Sequence, residues 1–407
     1  MPSNQGAVVT GSRNLENLVS VKETPFPQLE DDMIILKAVA YAVNPTDWKH
    51  ILPESFASHL TSEILKKLGL GVRSLECVLG SLGSSVGYFV GKSFTLIQRG
   101  VVVGSDVSGI VESVGKNVTN FEKGDIVSAS LHGGMNKNGG FSNYVMVSPN
   151  ATIKFPRSQI LRKPLSVGKH ESSVIDSFEA AASIPVGLKT TALSFQYNLG
   201  IPPQESENKD DYLLIWGGAT ATGIIAIQIA KLIYGVKVIT TASLKHHGKL
   251  QSLGADKTFN YNDLDVIEKL KEAGEHRIKY ALDCVSSVET LQSVYDATEG
   301  SQDVRIDNLL FLNEKSINVK KGRKVVFTST NGYLVDGRTH FGAKASTEMI
   351  DSYLEFWLNY LPSVLGKLKT APLEVLPFGL ESANEGLKLL IENKVSGSKL
   401  VFRNCKD

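Results

Sequence analysis

Apolar and polar positions along this 407-residue chain change period several times. Two apolar stretches near the start, Ala7–Thr10 and Met33–Val43, predict strands, with Pro25 and Pro27 favouring an extended connection between them. Over 101–150, small and apolar residues alternate, broken by glycines, as in Gly104–Gly115, Phe121–Val127 and Gly139–Val147. Short strands punctuated in this way predict a compact β-barrel. The stretch 157–175 is polar and predicts a loop, Phe178–Leu199 predicts helix, and 202–211 predicts an exposed connection. An apolar run, Leu213–Trp216, then leads through glycines into Ile224–Ala230, predicting strand, turn and helix. Val236–Ala242, Phe259–Tyr261, Tyr280–Val285 and Lys324–Thr328 supply further strands, so 212–345 predicts an α/β unit with a doubly wound parallel sheet. An apolar strand ending at Phe402 closes the pattern and is placed to rejoin the first unit.

One segment stands apart. Leu60–Leu70 has helical periodicity, and Cys77–Ile97 is apolar but dotted with glycines. The spacing of Gly83, Gly87 and Gly91 is the small-xxx-small pattern of packed membrane helices. Lys92 lies inside the stretch and its mean apolarity is low, so a lid or an oligomer contact is preferred to a membrane span.

Composition narrows the class. The length suggests two or three domains, since single cores stop growing near roughly 250–300 residues. With 42% hydrophobic and 21% charged residues, the chain is an ordinary globular one. A net charge of +1 gives no reason to expect a nucleic-acid partner. Cys77, Cys284 and Cys405 are far apart, which argues against a disulfide framework and a structural zinc site. The first residues carry no signal-peptide pattern, so a cytoplasmic location is expected.

The chemistry is most legible at the glycine turn. Gly217, Gly218, Ala219, Thr220, Ala221, Thr222 and Gly223 sit between a strand and a helix, where unpaired backbone N–H groups form an anion site. In a dinucleotide fold that anion is a cofactor pyrophosphate. The middle glycine of G-x-G-x-x-G is replaced, and an ordinary strand–helix turn has the same look. The next strand separates the two readings. An NAD site usually ends that strand with Asp or Glu for the ribose 2′-hydroxyl. Here Ser243, Lys245 and His246 follow instead, donors that suit a 2′-phosphate, so NADPH is expected. A solvated basic helix start is the competing reading. The polar cluster Asn44–His50 directly follows a predicted strand and reads locally as a strand-to-helix connection capped by Asp47.

Together, Asn44-Pro-Thr-Asp-Trp-Lys49, Gly104-x-Asp106-x-x-Gly109-x-Val111-x-x-Val114-Gly115, Phe121-x-x-Gly124-Asp125 and Trp216-Gly-Gly-Ala-Thr-Ala-Thr-Gly223 resemble the medium-chain dehydrogenase/reductase superfamily. The chain most resembles its zinc-free quinone oxidoreductase branch, fungal trans-acting enoyl reductases of polyketide synthesis included. The resemblance implies a GroES-like β-barrel catalytic domain (1–185, with an unusual insertion at about 51–100), a Rossmann domain (186–360) and a C-terminal return (361–407). It places Asn44, Thr46 and Lys49 beside nicotinamide and substrate. It places Thr191, Tyr261, Cys284, Val285, Ser396 and Gly397 along the cofactor. Zinc members carry an early Cys and a Gly-His-Glu run. Here no Cys precedes Cys77 and the run is Gly104-Ser-Asp106, so no metal is expected. The implied reaction is NADPH-dependent hydride transfer to a small-molecule acceptor, a conjugated C=C bond or a quinone, with Lys49 or Thr46 facing the developing enolate oxygen. Asp47 is expected to orient, and His132 to be a loop histidine. Partners to expect are a second copy in a homodimer and a polyketide synthase. Aldehyde reduction and a non-catalytic NADPH-binding role remain the alternatives.

Overall fold

The computed structural model describes residues 3–12, 14–51, 99–160, 163–340 and 342–404. The expectations for the helix at Leu60–Leu70 and the glycine-spaced stretch after it lie outside these residues. A two-stranded ribbon pairs β1 (Asn4–Val9) with β2 (Val19–Thr24). The barrel sheet contains β3 (Ile34–Ala42), β4 (Asp106–Val114), β5 (Ile126–Ser130), β6 (Tyr144–Val147), β7 (Thr152–Phe155) and β8 (Gly168–His170). β3 pairs antiparallel with both β4 and β6, and β5 lies antiparallel between β4 and β7. The strand β8 corrects the loop expected at 157–175. Gly-Lys-His has no alternation to read, because this edge strand takes its structure from its neighbour.

The second sheet contains β9 (Tyr212–Trp216), β10 (Lys237–Thr241), β11 (Lys257–Phe259), β12 (Ile278–Asp283), β13 (Arg305–Asn308) and β14 (Val326–Ser329). Its order is β11-β10-β9-β12-β13-β14, and every pairing is parallel. This is the doubly wound dinucleotide-binding order, with its switch point between β9 and β12. All five residues of β9 are buried, which is why they read as an unbroken apolar run. The chain then returns to the first sheet through β15 (Leu373–Val375) and β16 (Lys399–Arg403). β16 pairs antiparallel with β3, β15 lies parallel to β16, and β8 covers β15.

Three helices matter for the site: α1 (Pro45–Lys49), α2 (Pro185–Leu193) and α3 (Ala221–Ile229). One apolar cluster joins Ala42 and Ile126 of the first sheet, Leu188 of α2, Ile225 of α3 and Leu213 and Ile215 of the second sheet. Each such fully buried aliphatic side chain contributes about 1.5–3 kcal/mol, so the two sheets share a substantial core. Among the described residues, no helix is long and apolar enough to cross a membrane.

The turn from β9 into α3 is tight. Gly217 takes a φ of +84°, and a Cβ on Gly223 would lie 2.5 Å from the Gly217 carbonyl oxygen. A Gly223→Val variant must therefore displace backbone. Overpacking of this kind costs about 1–3 kcal/mol. We expect a lower urea midpoint with an unchanged slope, and an unmoved midpoint would contradict the close-packing argument.

Candidate active site

The carboxyl ends of the parallel strands open into a cleft of about 780 Å³ that faces α1 and the start of β16. Trp216 and Gly217 line it from the end of β9, Thr241–Ser243 from β10, Cys284 and Val285 from β12, Leu309–Phe311 from β13, and Thr330–Tyr333 from β14. The opposite wall is Val43–Thr46, Lys49, His50 and Val395–Leu400. A crevice at a topological switch point is where this fold takes ligands.

At the glycine turn, the Thr220 hydroxyl caps α3 by accepting from Gly223 N at 3.0 Å, and Thr241 Oγ1 accepts from Gly217 N at 3.1 Å. Ala219, Thr220, Ala221 and Thr222 line the cleft beside Gly217, whereas Gly218 and Gly223 lie behind the lining as packing residues. The loop after β12 is held by Asp283. Its carboxylate accepts from Val285 N at 3.0 Å, Ser286 N at 2.9 Å and Thr290 Oγ1 at 2.6 Å. Burial pushes this carboxyl up to about 6, and it pushes the Cys284 thiol far above its ordinary range, so Cys284 is no thiolate at neutral pH. Beyond β10, Ser243 Oγ lies 3.0 Å from Tyr261 Oη. His246 packs against Gly397, and its buried Nε2 has no hydrogen-bond partner. Such an orphaned donor or acceptor is costly unless a ligand meets it.

The other wall is built on a buried charge cluster. Asp106, at the start of β4, accepts from Asn44 Nδ2 at 2.8 Å, Lys399 Nζ at 3.2 Å and Val186 N at 2.8 Å. Lys399 also donates to Asn44 Oδ1. Asp47 accepts from Asn44 N at 2.8 Å and Ser105 Oγ at 2.6 Å. Burial lifts Asp47 from 3.8 to about 7, with the hydrogen bonds pulling back and Asp106 adding to the rise. Burial likewise raises Asp106, against the pull of Lys399.

Above this cluster, Thr46 Oγ1 lies 2.6 Å from Tyr333 Oη and 3.3 Å from His50 Nε2. His132 stacks on the Tyr333 ring at 3.8 Å, and its Nδ1 meets His340 Nδ1 at 2.9 Å. The ammonium of Lys189 lies 5.0 Å from the centre of the same ring. Burial lowers Lys189 to about 8 and His50 to about 4. Lys49 lies against Trp48, and burial lowers it as well.

The structure brings Asn44, Thr46 and Lys49 into one cleft with Gly217, Ala219, Thr220, Ala221, Thr222, Ser243, His246, Tyr261, Cys284, Val285, Ser396 and Gly397. It does not bring Gly218, Gly223, Lys245 or Thr191 to the lining. Thr191 is fully buried within α2, where its hydroxyl donates to Gly187 O, and Thr190 takes the place at the surface of the cleft. Asp47 has the geometry of an orienting residue. His132 does lie in a loop, but it is buried and stacked on a cleft tyrosine. Lys189, Tyr333 and Lys399 were missed. Tyr333 had a signal, a polar run directly after a parallel strand, while Lys189 and Lys399 acquire their setting only from tertiary structure.

Comparison with known proteins agrees with this architecture. Residues 30–157 match the model of the alcohol dehydrogenase GroES-like domain, and residues 221–301 that of the zinc-binding dehydrogenases. The chain is 31% identical over 287 residues to the trans-enoyl reductase TOXD of Cochliobolus carbonum, covering 69% of this chain and 76% of that protein. It is 30% identical over 391 residues to an uncharacterized protein of Saccharomyces cerevisiae, covering 93% of each. The structure of the quinone oxidoreductase from Coxiella burnetii superposes with a TM-score of 0.61 at 22% identity, covering 99% of this chain and 100% of that one. The chain belongs to the medium-chain dehydrogenase/reductase superfamily, in its enoyl reductase-like branch. It is an oxidoreductase of that type, and the family implies a nicotinamide cofactor.

The raised Asp47 carboxyl gives a pH signature. Its folded state holds a proton that the unfolded state releases above about 3.8, so its contribution is present below that pH and is lost as pH rises towards about 7. His50, held neutral, acts oppositely over the acid side of the same range, so the comparison needs a variant. The stability of the wild type minus that of Asp47→Asn should fall between pH 4 and pH 7 in urea titrations. A flat difference would contradict the assignment.

Proposed function

We propose that the protein is an NADPH-dependent, zinc-independent reductase of conjugated C=C bonds or quinones. The observation that carries this reading is the charge and shape of the cleft. Among the described residues, its lining includes Lys49, Lys189 and Lys399 but no Asp or Glu. A phosphate-rich ligand suits a cleft lined in this way, with its pyrophosphate at the start of α3. Ser243, Tyr261 and the orphaned His246 Nε2 stand where the ribose would lie, and donors there favour a 2′-phosphate.

The donor set also supports zinc independence. Where the branch with zinc needs thiolate and imidazole ligands, this chain offers an amide, Asn44, and a carboxylate, Asp106, already engaged by the Lys399 ammonium. Such a set does not fit a tetrahedral zinc.

When bound, the reduced nicotinamide supplies a hydride. The protein must then hold the acceptor, exclude water and stabilise the charge that develops on its oxygen. Lys49 and Lys189 are the cations available for that oxygen. Asn44 is fixed by Asp106 and Lys399, so α1 presents Thr46 and Lys49 on a rigid base. The similarity to trans-enoyl reductases supports an enoyl thioester as the acceptor and a polyketide synthase as the partner of this reading.

The test is oxidation of NADPH and NADH against a quinone, an α,β-unsaturated ketone, an enoyl thioester and an aldehyde. We expect turnover with NADPH on a conjugated acceptor and none that depends on added zinc. Equal use of NADH would overturn the cofactor assignment. Activity confined to the aldehyde would move the reaction to carbonyl reduction. Ser243→Asp should raise the KM for NADPH at least about 10-fold through like-charge repulsion while sparing NADH. An unchanged ratio would remove Ser243 from the 2′-phosphate site.

A further inference from the structure

We propose that Tyr333 is the proton donor of the reaction, resupplied through Thr46. The inference rests on the reductase reading above and assigns the half of the reaction that the hydride leaves open.

Four observations converge on this residue. Tyr333 lines the same cleft as Lys49, the glycine turn and Val285. Its hydroxyl lies 2.6 Å from Thr46 Oγ1, which lies 3.3 Å from His50 Nε2. Its ring is clamped, with His132 stacked at 3.8 Å and an interplanar angle of 11°. His132 is itself fixed through His340, whose Nε2 meets the Asp336 carboxylate at 2.8 Å. A phenol held this way keeps one aim. Burial raises Tyr333 well above its ordinary range, so the oxygen carries its proton at neutral pH. Lys49, by contrast, rests on the Trp48 ring and is better placed to offset charge than to pass a proton along a chain.

The step balances. Hydride transfer forms a C–H bond at the β-carbon and moves the π electrons onto the carbonyl oxygen, giving an enolate. The Tyr333 O–H bond then breaks as a new C–H bond forms at the α-carbon. The acceptor has gained two electrons and two hydrogens, and the nicotinamide has lost the hydride. The phenolate takes the Thr46 proton, and Thr46 takes one from water entering the cleft. His50 Nδ1 donates to the Gly133 carbonyl oxygen at 3.4 Å, which leaves Nε2 to accept from Thr46 and hold its hydroxyl in place. Thr46 and His50 are positioning residues in this scheme, and only Tyr333 touches the reacting carbon.

The experiment uses an α-methyl enoyl thioester, whose product has a stereocentre at the protonated carbon. In wild type we expect one product stereoisomer. Tyr333→Phe keeps the ring and its stacking but removes the donor. It should lower kcat about 100-fold or more, the scale of a lost general acid, with NADPH affinity by fluorescence titration within a factor of three or so. Its residual product should be a mixture of both stereoisomers. Thr46→Val should lower kcat with little change in KM, and Thr46→Ser should restore it, which a packing role would not predict. Wild-type kcat and a single stereoisomer from Tyr333→Phe would overturn the proposal while leaving the reductase reading intact. Failure of the wild type on every conjugated acceptor would overturn both.

Discussion

The buried contact among Asp106, Lys399 and Asn44 holds the two halves of this protein in register. Asp106 begins β4, Lys399 begins β16, Asn44 precedes α1, and Val186, whose N–H the same carboxylate accepts, starts the helix leading to the second sheet. Four segments far apart in sequence thus meet at one carboxylate. Removing one member of a buried pair leaves the other charge uncompensated, at a cost of about 3–5 kcal/mol, so the contact constrains geometry as well as energy. Its consequence is positional. The helix that carries Thr46 and Lys49 can sit only where the carboxylate lets it, across the cleft from the turn after β9.

The second wall is fixed by different means. Parallel strands end together at the switch point, so every loop that follows them must face the same crevice. Backbone bonds then set each loop. Thr241 holds Gly217, Thr220 caps α3, and Asp283 gathers two backbone donors from the turn after β12 and a hydroxyl, Thr290, from the helix beyond it. The cofactor side is therefore organised by backbone hydrogen bonds, and the acceptor side by buried side-chain charge. Tyr333 belongs to the first wall by chain position and to the second by its bond to Thr46.

Much of this was legible in the sequence because periodicity reports burial. The unbroken run of β9 and the glycine-punctuated barrel strands are patterns that only buried strands and tight turns require. The strand β13 escaped because Arg305, Asp307 and Asn308 give it no apolar run. Asp307 is fully buried all the same, satisfied by Thr328, Thr330 and Asn198. The same failure hid Lys189 and Lys399. A lysine in a helix or at a strand start reads as a solvated residue, and its burial follows from partners far away in the sequence. Thr191 illustrates the converse. A resemblance locates the helix, but the turn of the helix decides which of two adjacent threonines faces the cleft.

The electrostatics of the cleft follow from an imbalance in the buried cluster. Asp47 and Asp106 are both buried, yet Lys399 is the one lysine in contact with a carboxylate there. Burial disfavours two ionised carboxylates this close together and raises both of them. Asp106 has the direct contact, and Asp47 is the one raised to about 7. The cluster therefore projects less negative charge into the cleft than two fully ionised carboxylates would. Lys49 and Lys189 face the cleft without a carboxylate beside them in its lining. Asp336 and Asp106 act on Lys189 from behind the lining and help to keep it charged against its burial, so the wall meets an anionic ligand, and the oxygen that becomes negative during reduction, with its ammonium groups and not with the carboxylates that support them.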